Sequence, residues 1–307
     1  MVRIHFREGE LVMKKFIIAV FLLFVTTAVF AKVRVVTTYP YIYDITKKIG
    51  GDKINVRVLS SGNADPHFIV PKPSFIAMVR NADLLILNGA ELEIGWLPQI
   101  VRKSHNSSIK PGSEGFLDLS GYVTLIDIPV NVSRDHGDVH SYGNPHFNLD
   151  PRNIPKIANA IVKRLCDLDM DNSEYYKKNN NAFNLLWEKK LVEWKKAVSS
   201  LNGRKVVQYH KLFDYLFKYC MIFSVIELEP LPGIMPNPRH IKKVIDRIKS
   251  EGVNLIITDV YHSIKPAQLV SRKTGVRMIV LPQDVNAVEQ SSDIVSLFDE
   301  IIRRLIR

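Results

Sequence analysis

Three histidines share one kind of setting, each closing a tripeptide just beyond an apolar run or turn: Asp65-Pro66-His67, Asn144-Pro145-His146 and Gln208-Tyr209-His210. Neutral imidazole nitrogen is a preferred ligand of several first-row metals, zinc among them; by affinity alone such a site cannot refuse Cu²⁺ or Ni²⁺. In the first two tripeptides a proline fixes the backbone before the histidine and narrows what its ring can reach, which suits ligands held ready before an ion arrives. A single histidine near a strand end is more often satisfied by backbone than by metal. The separations, 146 − 67 = 79 and 210 − 146 = 64 residues, form no local motif, so only a fold can gather the three. Two aspartates, Asp259 and Asp284, sit at strand ends and are the carboxylates to weigh as a fourth ligand; Glu227 and Glu229 are weaker candidates.

The elements that must position these residues alternate, as in a parallel sheet covered on its faces. Strands are expected at Val33 to Thr38, Asn55 to Leu59, Leu84 to Asn88 and near Val123 to Ile126, with helices at Tyr41 to Ile49, Pro73 to Asn81, Gly95 to Lys103 and Asn153 to Leu165. Ser104 to Gly121 and Asn131 to Asn144 read as polar, irregular chain. A long helix begins at Asn172 or Ser173, either of which can cap it. Phe183, Trp187, Leu191, Trp194, Val198 and Leu201 recur along it at intervals of three and four and mark one face. After Asn202-Gly203 the alternation restarts, with strands at Lys205 to Gln208, Met221 to Leu228, Val253 to Asp259 and Arg277 to Leu281. Their helices fall at Leu212 to Tyr219, Pro238 to Ser250, Pro266 to Thr274 and Ser292 to Arg307. The expected class is α/β: two α/β lobes with parallel-type sheets, residues 32–171 and 202–307, joined by one long connecting helix at 172–201. Loops at the carboxyl ends of such strands are where ligands bind.

The first 31 residues stand outside this fold. Lys14 and Lys15, an apolar run from Phe16 to Phe24 and Val29-Phe30-Ala31 have the layout of a secretory signal cleaved after Ala31; Met13, directly before the two lysines, is an alternative start, since Glu8 and Glu10 lengthen the basic region awkwardly. The apolar run is short for a membrane span, and no Cys stands at the cleavage site for a lipid anchor. The formal charge of +11 includes four basic and two acidic residues of this segment, leaving +9. That excess is scattered along helices without a nucleic-acid module, so no nucleic-acid partner is expected. Two cysteines, Cys166 and Cys220, exclude a Cys-rich zinc fold.

Asn63-Ala64-Asp65-Pro66-His67 and Gly143-Asn144-Pro145-His146-Phe147-Asn148-Leu149-Asp150-Pro151 resemble the two signature stretches of the zinc- and manganese-type substrate-binding proteins of ABC transporters. The family usually has Asp before Pro-His in the second, where this chain has Asn144. The resemblance runs from Val33 to the end and includes Tyr209-His210-Lys211-Leu212-Phe213-Asp214-Tyr215. It implies a metal held in the cleft between lobes by His67, His146 and His210, with Asp284 in Leu281-Pro282-Gln283-Asp284-Val285 similar to the family's fourth ligand and Asp259 one strand too early. It further implies a periplasmic or otherwise extracytoplasmic receptor, monomeric, that passes Zn²⁺ to a membrane permease. Manganese-type members resemble one another in having Glu where His210 stands, so Mn²⁺ is the lesser expectation.

His136 and His140, in Arg134-Asp135-His136-Gly137-Asp138-Val139-His140, resemble a shortened form of the family's His-rich loop; a solvated polar loop is the blander reading and is preferred. His105, His240 and His262 are assigned no function. A zinc hydrolase would leave one metal position to water, but no HExxH helix, nucleophile elbow or phosphate-cradling loop occurs. An adhesin or organic-solute receptor would share only the fold.

Overall fold

The computed structural model describes residues 32–129 and 140–307; residues 1–31, where a secretory signal is expected, and His136 lie outside the described residues. Among the described residues, eight strands form two four-stranded sheets. The first contains β1 (Val33–Thr37), β2 (Ile54–Val58), β3 (Leu84–Leu87) and β4 (Phe116–Asp118) in the order β2-β1-β3-β4. The second contains β5 (Lys205–Gln208), β6 (Phe223–Glu227), β7 (Leu255–Thr258) and β8 (Arg277–Val280) in the order β6-β5-β7-β8. Every pair is parallel. In each sheet the second strand lies on one side of the first and the third on the other, which opens a crevice beyond the carboxyl ends of the two central strands.

The helices are α1 (Pro40–Gly50), α2 (Pro73–Arg80), α3 (Leu97–Ser104), α4 (Ile154–Leu168), α5 (Ser173–Ala197), α6 (Asp214–Cys220), α7 (Pro238–Glu251), α8 (Lys265–Thr274) and α9 (Ile294–Ile306). Proline stands in the first turn of α1, α2, α3, α4, α7 and α8, where its missing N–H costs nothing and its φ is already helical. That is why their starts are legible. α9 starts differently, from an Asp293–Ser296 capping box, and its Ile294 N–H also donates to Asp44 of α1 at 3.0 Å.

Two expectations fail. Val123 to Ile126 is not a strand, and β4 lies earlier, inside the stretch read as irregular. The backbone groups of Ile126 go elsewhere: its N–H donates to the Tyr215 hydroxyl at 3.1 Å and its carbonyl accepts from Asn144 at 2.8 Å. A three-residue strand between Gly115 and the Asp118 cap has too short a pattern to be read. Nor does Asn172 cap α5; its amide instead donates to the Asp169 carboxylate at 2.9 and 3.1 Å.

At about 1.5 Å per residue, the 25 residues of α5 extend roughly 37 Å, long enough to join both lobes, with 3₁₀ turns at Met170–Asn172 and Val198–Leu201 on its flanks. Its apolar face is buried at Phe183, Trp187 and Trp194, with Leu191 partly buried, and continues into Val198 and Leu201 of the following 3₁₀ turn. One buried core runs continuously from the first lobe through α5 into α9, and a smaller one fills the outer face of the second sheet around Val207, Ile241, Val244 and Ile256. The lobes also meet directly across the cleft. A Cβ at Gly62 would overlap the Val285 carbonyl, and Gln283 donates to the Gly62 carbonyl at 2.8 Å. Cys166 and Cys220 are unpaired, and burial pushes the Cys220 thiol up to about 12. Among the described residues, no helix is long and apolar enough to cross a membrane.

Candidate metal centre

His67 lies in the loop after β2, His146 in the chain before α4, two residues beyond the Asn144 that bonds Ile126, and His210 two residues beyond β5. The fold brings all three together: one ring nitrogen from each lies within 4.8 Å of the others. Ring centroids are 5.2 to 5.6 Å apart, and the planes meet edge-on at 73° to 86°. The Nε2 atoms of His146 and His210 are 3.4 Å apart. Two nitrogens bound to one tetrahedral zinc at 2.0–2.1 Å would stand about 3.3–3.4 Å apart, so this pair already has the spacing of a shared ion. The His67 Nε2 is buried without a hydrogen-bond partner, which is costly unless a ligand completes it.

Carboxylates set the rings. Asp65 Oδ1 accepts from the His67 backbone N–H at 2.9 Å and faces its Nδ1 at 3.0 Å. Glu229 Oε1 faces Nδ1 of His210. A proton held on Nδ1 leaves the Nε2 lone pair free for metal and raises its basicity. Burial opposes ionisation of Asp65, yet its bonds to His67 hold it below the usual carboxylate range. Burial likewise pushes His210 down, but Glu229 outweighs it and leaves His210 above its ordinary value. His146 has no such carboxylate; burial, with the neighbouring imidazoles, drives it well below. Sequence reasoning assigned Asp65 no role and weighed Glu229 only as a weak ligand. Replacing Glu229 by alanine should weaken metal binding about 10- to 100-fold, with glutamine between alanine and the native residue. Competition against a chelating dye measures this, and unchanged affinity in Glu229→Ala would count against ring orientation by Glu229.

The two strand-end aspartates have different surroundings. Asp259 is occupied: it accepts from the backbone N–H groups of Tyr261 and His262 and faces the His262 ring at 2.8 Å. His262 in turn stacks on Tyr209 at 4.1 Å. Asp284 is not among the nitrogens and oxygens within 4.8 Å of one another. It lines a small cavity together with His146, and its Oδ1 accepts from Tyr41 and Val285 N–H groups at 2.8 and 2.7 Å. Burial raises its carboxyl to about 8 despite those bonds.

His140 departs from the solvated-loop reading. Its ring stacks on His67 with centroids 5.2 Å apart, and its Nε2 is buried and unpaired. The adjacent Ser141 N–H donates to Glu91 at 2.6 Å, which ties this end of the loop down. A cleft of about 550 Å³ beside the histidines is lined by Asp127, Glu227 and Glu229 as well as His140, His146 and His210, a wall that draws cations.

Behind His146, Asn88 donates to the Pro145 carbonyl at 3.0 Å and accepts from Tyr41 at 2.7 Å. Glu93 holds this turn through Thr38, Asn88 and Gly89. Burial raises Glu93 to about 7 against those bonds. A carboxyl whose folded pKa is raised contributes stability that is complete below its unfolded value, about 4.5, and is lost as pH rises through about 7. Metal-free protein should lose about 3 kcal/mol from this group between pH 4.5 and 8. Urea unfolding at pH 5 and 8 should give a smaller difference in Glu93→Gln, and equal differences would refute the assignment.

A family profile described as "ZnuA: Zinc-uptake complex component A periplasmic" matches residues 35–307. The metal ABC transporter substrate-binding lipoprotein SloC of Streptococcus mutans is 27% identical over 250 residues, 80% of this chain and 78% of that protein. The manganese ABC transporter substrate-binding lipoprotein PsaA of Streptococcus pneumoniae is 26% identical over 250 residues, 80% and 77% of the two chains. A crystal structure of ZnuA has the same fold, with a TM-score of 0.73 at 23% identity over 89% of this chain and 99% of that one. With paired α/β lobes, a bridging helix and a match over nearly all of the described chain, the protein belongs to the metal-specific substrate-binding proteins of ABC transporters, a family of binding proteins and not of enzymes.

Proposed function

We propose that this protein is an extracytoplasmic receptor that captures one Zn²⁺ as cargo on His67, His146 and His210 and delivers it to the membrane permease of its ABC transporter. In this reading Asp284 supplies the fourth ligand, the leader is removed after Ala31 and the receptor works as a monomer. The residues 32–171 and 202–307 act as lobes hung on the helix of 172–201, whose stiffness limits release to a small tilt.

The observation that carries the choice of zinc is the donor set: three imidazoles, with one ring nitrogen of each within 4.8 Å of the others. Imidazole suits zinc, whereas manganese prefers oxygen. The relative named as a manganese protein makes Mn²⁺ the second reading. Asp284 is supported by its place on the cavity wall with His146 and by Oδ1 being held by two backbone N–H groups, which leaves Oδ2 for an ion.

Native mass spectrometry of the purified protein with equimolar zinc and manganese should show one retained zinc; retention of manganese alone would overturn the choice. Asp284→Asn should lower zinc affinity about 10- to 100-fold, ~1.4–2.7 kcal/mol. Unaltered affinity would remove Asp284 from the ligand set while leaving the histidines in it.

A further inference from the structure

We infer that Asn144 is a positioning residue that latches the two lobes at the metal site, setting the separation of His146 and His210 and the rate at which a bound ion leaves. The inference rests on the reading of His67, His146 and His210 as ligands.

Asn144 is buried in the cleft and uses every polar group it has. Its Oδ1 accepts from the His146 backbone N–H at 3.0 Å, and its Nδ2 donates to the Lys211 carbonyl at 2.8 Å. Its backbone N–H donates to Ile126 at 2.8 Å, and its carbonyl accepts from the Tyr215 hydroxyl at 2.8 Å. Tyr215 also accepts from the Ile126 N–H. One side-chain amide therefore joins the first-lobe ligand His146 to the residue directly after the second-lobe ligand His210. The two Nε2 atoms it spans are those 3.4 Å apart.

Comparison with Asp65 shows what the amide at position 144 adds in this chain. In Asp65-Pro66-His67 the side chain accepts from the backbone N–H of the histidine two residues on, as Asn144 does in Asn144-Pro145-His146. Asp65 also faces its own histidine's ring, a task for an acceptor. Asn144 must accept from His146 and donate to a carbonyl of the other lobe. Only an amide does both; a carboxylate at 144 would set an anionic oxygen against the Lys211 carbonyl and leave that carbonyl unpaired.

The test uses Asn144→Asp and Tyr215→Phe in the purified protein. The first removes the donor to the Lys211 carbonyl and puts a carboxylate oxygen in its place, and the second removes only the hydroxyl. Folding is checked by circular dichroism. Co²⁺ serves as a spectroscopic probe of coordination geometry, and release of Zn²⁺ into excess chelator is followed by stopped flow. Asn144→Asp should release zinc tenfold faster or more and lose intensity in its tetrahedral Co²⁺ bands. Tyr215→Phe should accelerate release less, in the same direction. Release within twofold of wild type and an unchanged Co²⁺ spectrum in a folded Asn144→Asp would overturn the latch. If Asn144→Asp does not fold, Tyr215→Phe decides by the same criterion: faster release supports the latch and unchanged release overturns it. Absence of metal binding in the wild type would overturn the ligand reading itself, and the latch with it, so the two failures are distinguishable.

Discussion

Replacing His210 by alanine is expected to abolish tight retention of one zinc, lowering affinity on the order of a thousandfold or more, about 4 kcal/mol. Two effects combine. The second lobe loses its only member of the imidazole cluster, and Glu229, just 5% exposed, loses the ring it faces. A buried carboxylate without its partner is costly in its own right, so His210→Ala should also destabilise the metal-free protein. The doubly substituted His210→Ala, Glu229→Gln protein separates these effects: it should recover metal-free stability but not zinc binding. Isothermal titration of both variants is the measurement, and near-native zinc affinity in either would sink the three-histidine centre. A related exchange probes selectivity. His210→Glu should favour manganese relative to zinc by putting oxygen in place of nitrogen. Placed beside Glu229, however, the new carboxylate meets a like charge, so the exchange should take full effect only with Glu229→Gln.

Trp187→Ala should cost about 3–5 kcal/mol of stability, the range for deleting a large buried aromatic. Trp187 is fully buried at the middle of α5. Its ring centroid lies 5.5 Å from Phe183, 5.0 Å from Trp194 and 5.5 Å from Phe298 of α9. Its indole N–H also donates to the Pro151 carbonyl at 2.7 Å, at the end of the His146 signature stretch. The substitution therefore opens a cavity where helix, C-terminal helix and ligand loop meet, and leaves a carbonyl unpaired. Trp187→Phe keeps most of the ring and should lose less, about 1–3 kcal/mol for the unmet acceptor. Urea denaturation of metal-free protein decides. A loss below about 1 kcal/mol in Trp187→Ala would mean that α5 is not held to the lobes through this cluster.

Much of this architecture is written in local pattern. β5 begins and ends where its sequence pattern does, and helices begin where proline sits in a first turn. The face of α5 follows from apolar spacing along one segment. Each of these depends on residues a few positions apart, and periodicity and backbone preference act at that range. The Pro-His pairs are legible for the same reason.

What tertiary structure alone decided lies at longer range. Val123 to Ile126 has a strand's composition, but its backbone bonds with Tyr215 and Asn144, so the sheet's fourth strand is Phe116–Asp118. Glu229 is 19 residues from His210 and Asn144 is 67 from Lys211; no spacing rule connects them. His140 leaves solvent for the face of His67 because Glu91, 50 residues away from Ser141, holds the loop. By itself the sequence determined the kinds of element and the three imidazoles available for metal. How those rings are aimed, and what ties one lobe's ligand to the other's, was decided by contacts that exist only once two parallel sheets, built in separate halves of the chain, face each other across one helix.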